Sequence, residues 1–537
     1  MLCLGINTNI NYYLLFKRVF MMKKKSNLLK IQTILITSVA LIGCGSGSTT
    51  TSPTQQAVYT TIFDAGSSGT RLSFYKVIPG NGGYPQINKL YEREFNDNGI
   101  NDFLNGNGTI ELTDKKGNNT LPGGVRPANC VGGTYESNGM QQMIINLGES
   151  DVSPCVLAPL LESQDMALTA NGLSRSQVKT ELFATAGMRT EDTRNGGSYT
   201  TLEIAEYYQS MKSYVARMGF ATGEFKTING NSEEGVWTWT NLNDYYYNIF
   251  GGNTTVSQTV QTPVGDFEVG GSSMQIAFPV NATPNDESNV YRVAINGKTF
   301  NVYSKTILGL GGDDARKYVR AYGYSNQNGG LDCFAESATV SNTTEDSGIA
   351  LYPSTLLIPN IFPANTVTTA PWFTLSAESL NLTGSPSFNL TACSNKYNVV
   401  ESQVVSLARN NNGTYNEGNT ATISSLKGIL QTSTSPFVGI DNFFYTAQDL
   451  NLAESINFNP ATFESALVTK CASKIPGEKL FTQAICPNGT FMDSFLFGTN
   501  GLFNGGTASF AGVLSPRQNN ATVLTWTRGY LLLKYAN

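Results

Sequence analysis

Histidine is absent from all 537 residues. That excludes a Ser-His-Asp triad, an HExxH zinc site and a phosphohistidine intermediate. Any general base must be a carboxylate, Lys, Tyr or Cys. Charged residues are scarce, at 14%, so Asn, Gly, Ser and Thr make up much of the polar surface. None of the eight cysteines falls in a CxxC pair, which argues against a zinc site. The apolar stretch from Ile31 to Ile42 is too short for a comfortable membrane span. No collagen, coiled-coil or solenoid repeat is present. Hydrophobic content of 40% is enough for large cores, and the length allows two to four domains.

The N-terminus has the form of an export signal. Met22-Lys23-Lys24-Lys25 is a basic start, and Leu41-Ile42-Gly43-Cys44 matches the bacterial lipobox, whose Cys is acylated after cleavage before it. This predicts a signal peptide over 1–43, with Met21 or Met22 as an alternative start, lipidation at Cys44, and a Ser/Thr-rich tether over 44–56. An ordinary signal peptide with an incidental Cys is the alternative. Gly45 provides no acidic inner-membrane retention signal. The expected location is therefore outside the cytoplasm, in the periplasm or on the outer membrane or cell surface. Loss of 1–43 removes six Lys/Arg and no acid, leaving 29 basic against 40 acidic residues, a net of −11. That balance argues against nucleic acid as a partner, and a polyanionic substrate would need a metal escort. Six cysteines lie beyond Cys44, and an even number in an exported chain predicts three disulfides. Of about fifteen possible pairings, nearest neighbours are expected: Cys130–Cys155, Cys333–Cys393 and Cys471–Cys486. Sequons at Asn107, Asn381, Asn412 and Asn488 would be glycosylated in a eukaryotic host, or are chance in an Asn-rich chain.

One pattern is written twice, 204 residues apart and without a gap: Phe63-Asp64-Ala65-Gly66-Ser67-Ser68-Gly69-Thr70-Arg71 and Phe267-Glu268-Val269-Gly270-Gly271-Ser272-Ser273-Met274-Gln275. Each copy has an acid, a Gly/Ser-rich turn and an apolar-alternating run. Glycines let backbone N–H groups converge on an anion, and Ser/Thr hydroxyls add donors. The acid repels phosphate, so it implies a divalent cation between them. Two such turns predict a duplicated, two-lobed protein that grips a polyphosphate and a metal from both sides. Around them, Val58 to Phe63, Leu72 to Val77, Thr180 to Ala184 and Phe225 to Ile228 read as strands. Val156 to Leu173, Leu202 to Met218 and Ala521 to Tyr535 read as helices. Residues 283–440 show little periodicity. The alternation of strands and helices predicts α/β lobes with mixed sheets.

Four motifs stand in order: Asp64 to Arg71; Ala184-Thr185-Ala186-Gly187-Met188-Arg189; Glu233-Glu234-Gly235-Val236-Trp237-Thr238-Trp239; and Glu268 to Gln275. A fifth is Trp526-Thr527-Arg528-Gly529-Tyr530-Leu531-Leu532, and Cys486 to Phe491 resembles a C-terminal cysteine region. Together they resemble the ecto-nucleoside triphosphate diphosphohydrolase (apyrase) family, in a bacterial lipoprotein-like form. The resemblance runs from residue 64 to 532. It implies two actin-like lobes of ribonuclease-H type, mixed sheets flanked by helices, with the nucleotide in the cleft between them. Lobe I would be 57–200 plus 511–537, and lobe II 201–510.

By the same resemblance Glu234 is the base that activates water, with Glu233 a spectator, and Ser273 and Gln275 hold that water. Asp64 and Glu268 hold Mg²⁺ or Ca²⁺ through its waters. Ser67, Ser68, Gly69 and Thr70 line one phosphate, and Gly270, Gly271 and Ser272 another. Thr185, Ala186 and Gly187 complete the lining. Arg71 either contacts phosphate or pairs with a nearby acid. Phe444, Tyr445 and Phe503 are the candidates for stacking on the base. The chain departs from the family at Glu268, where Asp is usual, at Gly69, where vertebrate members often have His, and at Thr238, where Gly is usual. The implied activity is that of a monomeric phosphoanhydride hydrolase acting on nucleoside tri- and diphosphates. The alternatives are an exopolyphosphatase or guanosine-pentaphosphate hydrolase of the same superfamily, against which the export signal and disulfides count, a sugar or acetate kinase, or a non-catalytic nucleotide-binding surface protein.

Overall fold

A computed structural model describes residues 56–67, 69–96, 99–104, 152–195, 199–254, 262–281, 287–316, 319, 331–336, 355–359, 372–376, 387–410, 423–452, 459–473, 475, 484–505, 508–518 and 521–536. Cys44, Ser68, Cys130 and the side chain of Cys155 lie outside the described residues, as do the sequons at 107, 381 and 412.

The duplication seen in the sequence is a duplication of topology. The first sheet contains β1 (Val58–Gly66), β2 (Gly69–Ile78), β3 (Gln86–Asn96), β4 (Lys179–Ala184) and β5 (Ala221–Thr227), in the order β3-β2-β1-β4-β5. The second contains β6 (Gly265–Val269), β7 (Ser273–Pro279), β8 (Val290–Ile295), β9 (Lys298–Leu308) and, beyond a separate ribbon of β10 (Thr355–Pro359) and β11 (Trp372–Ser376), β12 (Pro436–Asp441) and β13 (Ser509–Val513). Its order is β13-β12-β6-β7-β9-β8. In each sheet a leading hairpin is antiparallel, one later strand joins its first strand in parallel, and another adds in parallel outside that one. The registers agree: Asp64 faces Arg71 across the first hairpin, and Glu268 faces Gln275 across the second.

Helices α1 (Val152–Ala170), α2 (Ala186–Glu191) and α3 (Thr201–Arg217) accompany the first sheet. Thr200 and Glu203 form a reciprocal capping box at the start of α3, and Ile204, Tyr207, Met211 and Val215 recur at helical spacing on its buried face. They pack with Leu157, Leu160 and Leu161 of α1 on Phe63, Leu72, Phe74 and Leu182 of the sheet. Helix α4 (Val236–Tyr245) follows the third motif. Helices α5 (Leu390–Asn410), α6 (Asn442–Asp449), α7 (Pro460–Cys471) and α8 (Ile485–Met492) belong with the second sheet, around Phe267, Val269, Ile276 and Phe278. Two expected disulfides, Cys333–Cys393 and Cys471–Cys486, staple this core. Asn488 is buried in α8 and bonded to Arg316, so its sequon is not a surface acceptor.

The closing helix α9 (Trp526–Ala536) begins later than the expected 521, because Ala521–Thr522 pairs with Arg517–Gln518 as a short β ladder. A third core cluster joins Ile62 and Phe183 of the first sheet, Ala277 and Val302 of the second, Trp237 of α4, and Trp526 and Leu531 of α9. Here α9 packs closely on α4. A Cβ on Gly529 would stand 1.8 Å from the carbonyl oxygen of Trp237, so only glycine fits. Arg528 adds a buried pair to Asp244 at 2.6 Å. The first sheet runs on to Thr227 through β5, past residue 200, where the lobe boundary was expected. The segment 283–440, read as poorly periodic, holds the β8–β9 hairpin and β12.

Candidate active site

The acids of the site stand at strand ends because the sheets place them there. Asp64 and Glu268 lie near the C-terminal ends of β1 and β6, and Asp441 ends β12, one strand over from Glu268. Asp64 is pushed up to about 7 by burial, with Glu234 and Asp441 adding repulsion and Arg71 and a hydrogen bond from Trp526 pulling it back. Burial also drives Glu268 well above the usual carboxylate range, with repulsion from Glu234 and Asp441, against the Thr238 hydroxyl donating at 2.8 Å. Four acids from both sheets and from the α4 turn therefore feel one another's charge in a buried region. Asp441 was not anticipated from the sequence. Its φ of 56° is a strained backbone for a residue with a side chain, a feature that gathers at functional sites. Asp266, also buried and raised by burial, lies two residues before Glu268.

Glu234 is presented by a π-helical turn, Gly230–Gly235, that runs directly into α4. Asn229 caps the turn by accepting from the N–H groups of Asn231 and Ser232. Asn231 staples it to β9, since its Oδ1 accepts from Thr306 N at 2.7 Å and its carbonyl accepts from Ser304. Glu233 bonds Lys226 at 2.6 Å and accepts from Asn229 N, so its carboxylate is engaged away from Glu234. Glu234 Oε2 accepts from Gln275 Nε2 at 3.0 Å and from Arg189 Nη1 at 2.7 Å. Gln275 Nε2 also lies 2.7 Å from Ser273 Oγ and 3.1 Å from Thr306 Oγ1. The three expected catalytic residues thus form one bonded group, with Arg189 and Thr306 added by the structure.

The two turns meet. A Cβ on Gly271 would lie 2.5 Å from Ser67 Oγ and 2.9 Å from an Asp313 oxygen. The carbonyls of Gly270 and Gly271 accept from Gly312 and Asp313 N–H groups, and Asn442 Nδ2 donates to Gly270 O at 3.0 Å. Ser272 and Thr70 are buried beside them. Thr185 caps α2, its N–H bonded to Ala65 O at 3.0 Å, which brings Ala186 and Gly187 to the first turn. Gly69 pairs with Gly66 across the hairpin end. Arg71 lies 3.5 Å from Asp64 and 3.0 Å from Glu94, which also binds Arg517, so acids hold its guanidinium. Phe444 and Tyr445 are half-buried on the first turn of α6, 5.6 Å apart. Phe503 packs among Phe267, Phe437 and Phe510 of the second core.

The donor set is carboxylate and hydroxyl oxygen, which suits a hard divalent cation. Among the described residues no three His, Cys, Asp or Glu side chains converge as direct ligands. Buried acids that repel one another are nonetheless the environment a cation relieves, so the residues fit a cation held through its own waters.

Comparison with known proteins places this arrangement. The sequence matches the GDA1/CD39 (nucleoside phosphatase) family over residues 151–476, and the chain belongs to that family. It is 25% identical over 363 residues to ectonucleoside triphosphate diphosphohydrolase 2 of Gallus gallus, a match covering 65% of this chain and 66% of that protein, just under two thirds of its length. The fold is similar to a crystal structure of nucleoside triphosphate hydrolases from Neospora caninum, with a TM-score of 0.51 and 15% identity, over 89% of this chain and 92% of the other.

Proposed function

We propose that this nucleoside phosphatase is an apyrase, removing terminal phosphates from nucleoside tri- and diphosphates with a Glu-activated water. The observation that carries this reading is the bonded group Glu234–Gln275–Ser273 adjoining two apposed Gly/Ser turns. Glu234 accepts a proton from water as the water oxygen bonds to the terminal phosphorus. The bridging P–O bond breaks, and the leaving phosphate keeps that electron pair. Ser67, Ser68, Gly69 and Thr70 hold one phosphate, and Gly270, Gly271 and Ser272 another, with Thr185, Ala186 and Gly187 between. Asp64 and Glu268 would hold Mg²⁺ or Ca²⁺ through water, and the bound cation would neutralise the polyphosphate charge. Phe444 and Tyr445 take the base, and the acidic chain selects nucleotides over nucleic acid.

The test is phosphate release from ATP, ADP and polyphosphate, with and without EDTA. Release from both nucleotides that EDTA abolishes supports the reading. Release from polyphosphate alone would favour the exopolyphosphatase alternative, and binding without release would favour a non-catalytic surface protein. Export and a lipid anchor at Cys44 belong to the same proposal. A fatty-acid analogue should label the wild-type protein and not Cys44→Ser, and a mature N-terminus elsewhere without acyl group would remove the anchor.

A further inference from the structure

We propose that Arg189 is the positioning residue of the hydrolytic group, fixing which oxygen of Glu234 is the base and which way Ser273 donates. The inference rests on Glu234 being the base. Arg189 sits on α2 and is 3% exposed. Its Nη1 donates to Glu234 Oε2 at 2.7 Å and its Nη2 to Ser273 Oγ at 3.0 Å, so one rigid guanidinium spans the base turn and the second hairpin. A third contact, Nη1 to Ile228 O at 3.3 Å, ties it to the segment between β5 and that turn.

Two consequences follow from hydrogen-bond capacity. Oε2 of Glu234 receives both Arg189 and Gln275, so the carboxylate is anchored through that oxygen. Oε1 is left to take the proton from water. A serine hydroxyl has one hydrogen and two acceptor sites. Oγ of Ser273 faces two donors, Arg189 Nη2 and Gln275 Nε2, and neither can accept a hydrogen from it. Its own hydrogen is then a donor, available to the water or to an oxygen of the transferred phosphoryl group. Gln275 divides two amide hydrogens among three acceptors, so it cannot enforce this alone. The guanidinium, planar and forked, supplies one N–H to each partner without sharing.

Arg189 acts through Glu234 and Ser273 and need not touch the nucleotide. The test is a double-mutant cycle on the full chain, measuring kcat and KM for ATP with saturating Mg²⁺. Arg189→Met should lower kcat roughly 10²-fold, as expected for a displaced reactive group, with KM little changed. In a Glu234→Gln background the same substitution should cost less than about threefold more, because coupled residues are non-additive. Arg189→Lys should recover only part of the loss, since one ammonium cannot reproduce the fork. Losses that multiply in the double variant, a loss carried by KM, or a wild-type rate in Arg189→Lys would each overturn the proposal. If Arg189→Met does not fold, Arg189→Lys in the two backgrounds gives the same cycle. Near-normal turnover in Glu234→Gln would instead remove the base assignment itself, whatever Arg189 does.

Discussion

Ser67 Oγ occupies the space that a side chain on Gly271 would need, at 2.5 Å from its Cβ position. The first Gly/Ser turn is thereby closely apposed to the second. Gly271→Ala would displace the Ser67 hydroxyl and the Asp313 carboxylate, both movable ends. The fold should survive, with Tm near wild type, while kcat/KM for ATP falls roughly 10²-fold from misplacement of the phosphates. Ser67→Ala in the same chain should recover part of that loss. A Gly271→Ala enzyme of normal activity would show that the turns are not held in register by this contact.

Glu268 is the acid of the second turn, as Asp64 is of the first. A cation held through water tolerates one more methylene, so Glu268→Asp should keep substantial activity, with a shifted Mg²⁺/Ca²⁺ preference. Glu268→Gln should lose most activity and need far more metal for the rest, because a neutral amide holds metal-bound water weakly. Metal titrations of the two variants decide the matter. A Gln variant with wild-type rate and metal dependence would make Glu268 a structural strand-end acid.

Stability should depend on pH in an unusual direction. The folded chain raises Asp64 from 3.8 to about 7, and Asp493 to about 6, both chiefly by burial. The folded state therefore binds these protons more tightly than the unfolded state. Their contribution is full below about 4 and is lost as pH rises towards 7. No histidine contributes, and the other buried acids that burial raises, Asp266, Glu268 and Glu401, act in the same direction. In EDTA, Tm should fall between pH 5 and pH 8. Mg²⁺ should raise Tm more at pH 8 than at pH 5, because cation and proton compete for the same carboxylates. An equal Mg²⁺ effect at both pH values would remove the competition, and Asp64→Asn should flatten the slope.

Gly529→Ala tests the helix crossing. Its Cβ would meet the Trp237 carbonyl at 1.8 Å, and backbone cannot swing aside. The cost should be about 1–3 kcal/mol or more, read as a lower Tm and urea midpoint. Because α4 continues the Glu234 turn, kcat should fall too. Wild-type stability would mean that α9 can slide along α4.

Much of this was legible because the chemistry sits in short, contiguous turns. The repeat of Asp64 to Arg71 at Glu268 to Gln275 announced two hairpins, and the structure returns them in identical register. The β8–β9 hairpin was missed although Asn296-Gly297 marks it. Both residues have positive φ, 51° and 72°, as a two-residue hairpin turn requires. Asp441 was hidden for another reason. Its strand is a short buried run, Phe437-Val438-Gly439-Ile440, and only parallel pairing with β6 shows it to be the counterpart of β4. Arg189 lay inside a quoted motif, but its partners are 45 and 84 residues away, a separation no local pattern encodes.

The shared register of the hairpins has one more consequence. Opposite Asp64 the chain places Arg71, so the first acid is answered by a neighbour within its own lobe. Opposite Glu268, at the twin address, it places Gln275, which cannot answer a charge and turns instead to Glu234. Among the differences between the two copies, this one changes the charge opposite the acid. One acid has a guanidinium across its own hairpin, and the other has only a neutral amide there, a charge that a bound cation would answer under the proposed function.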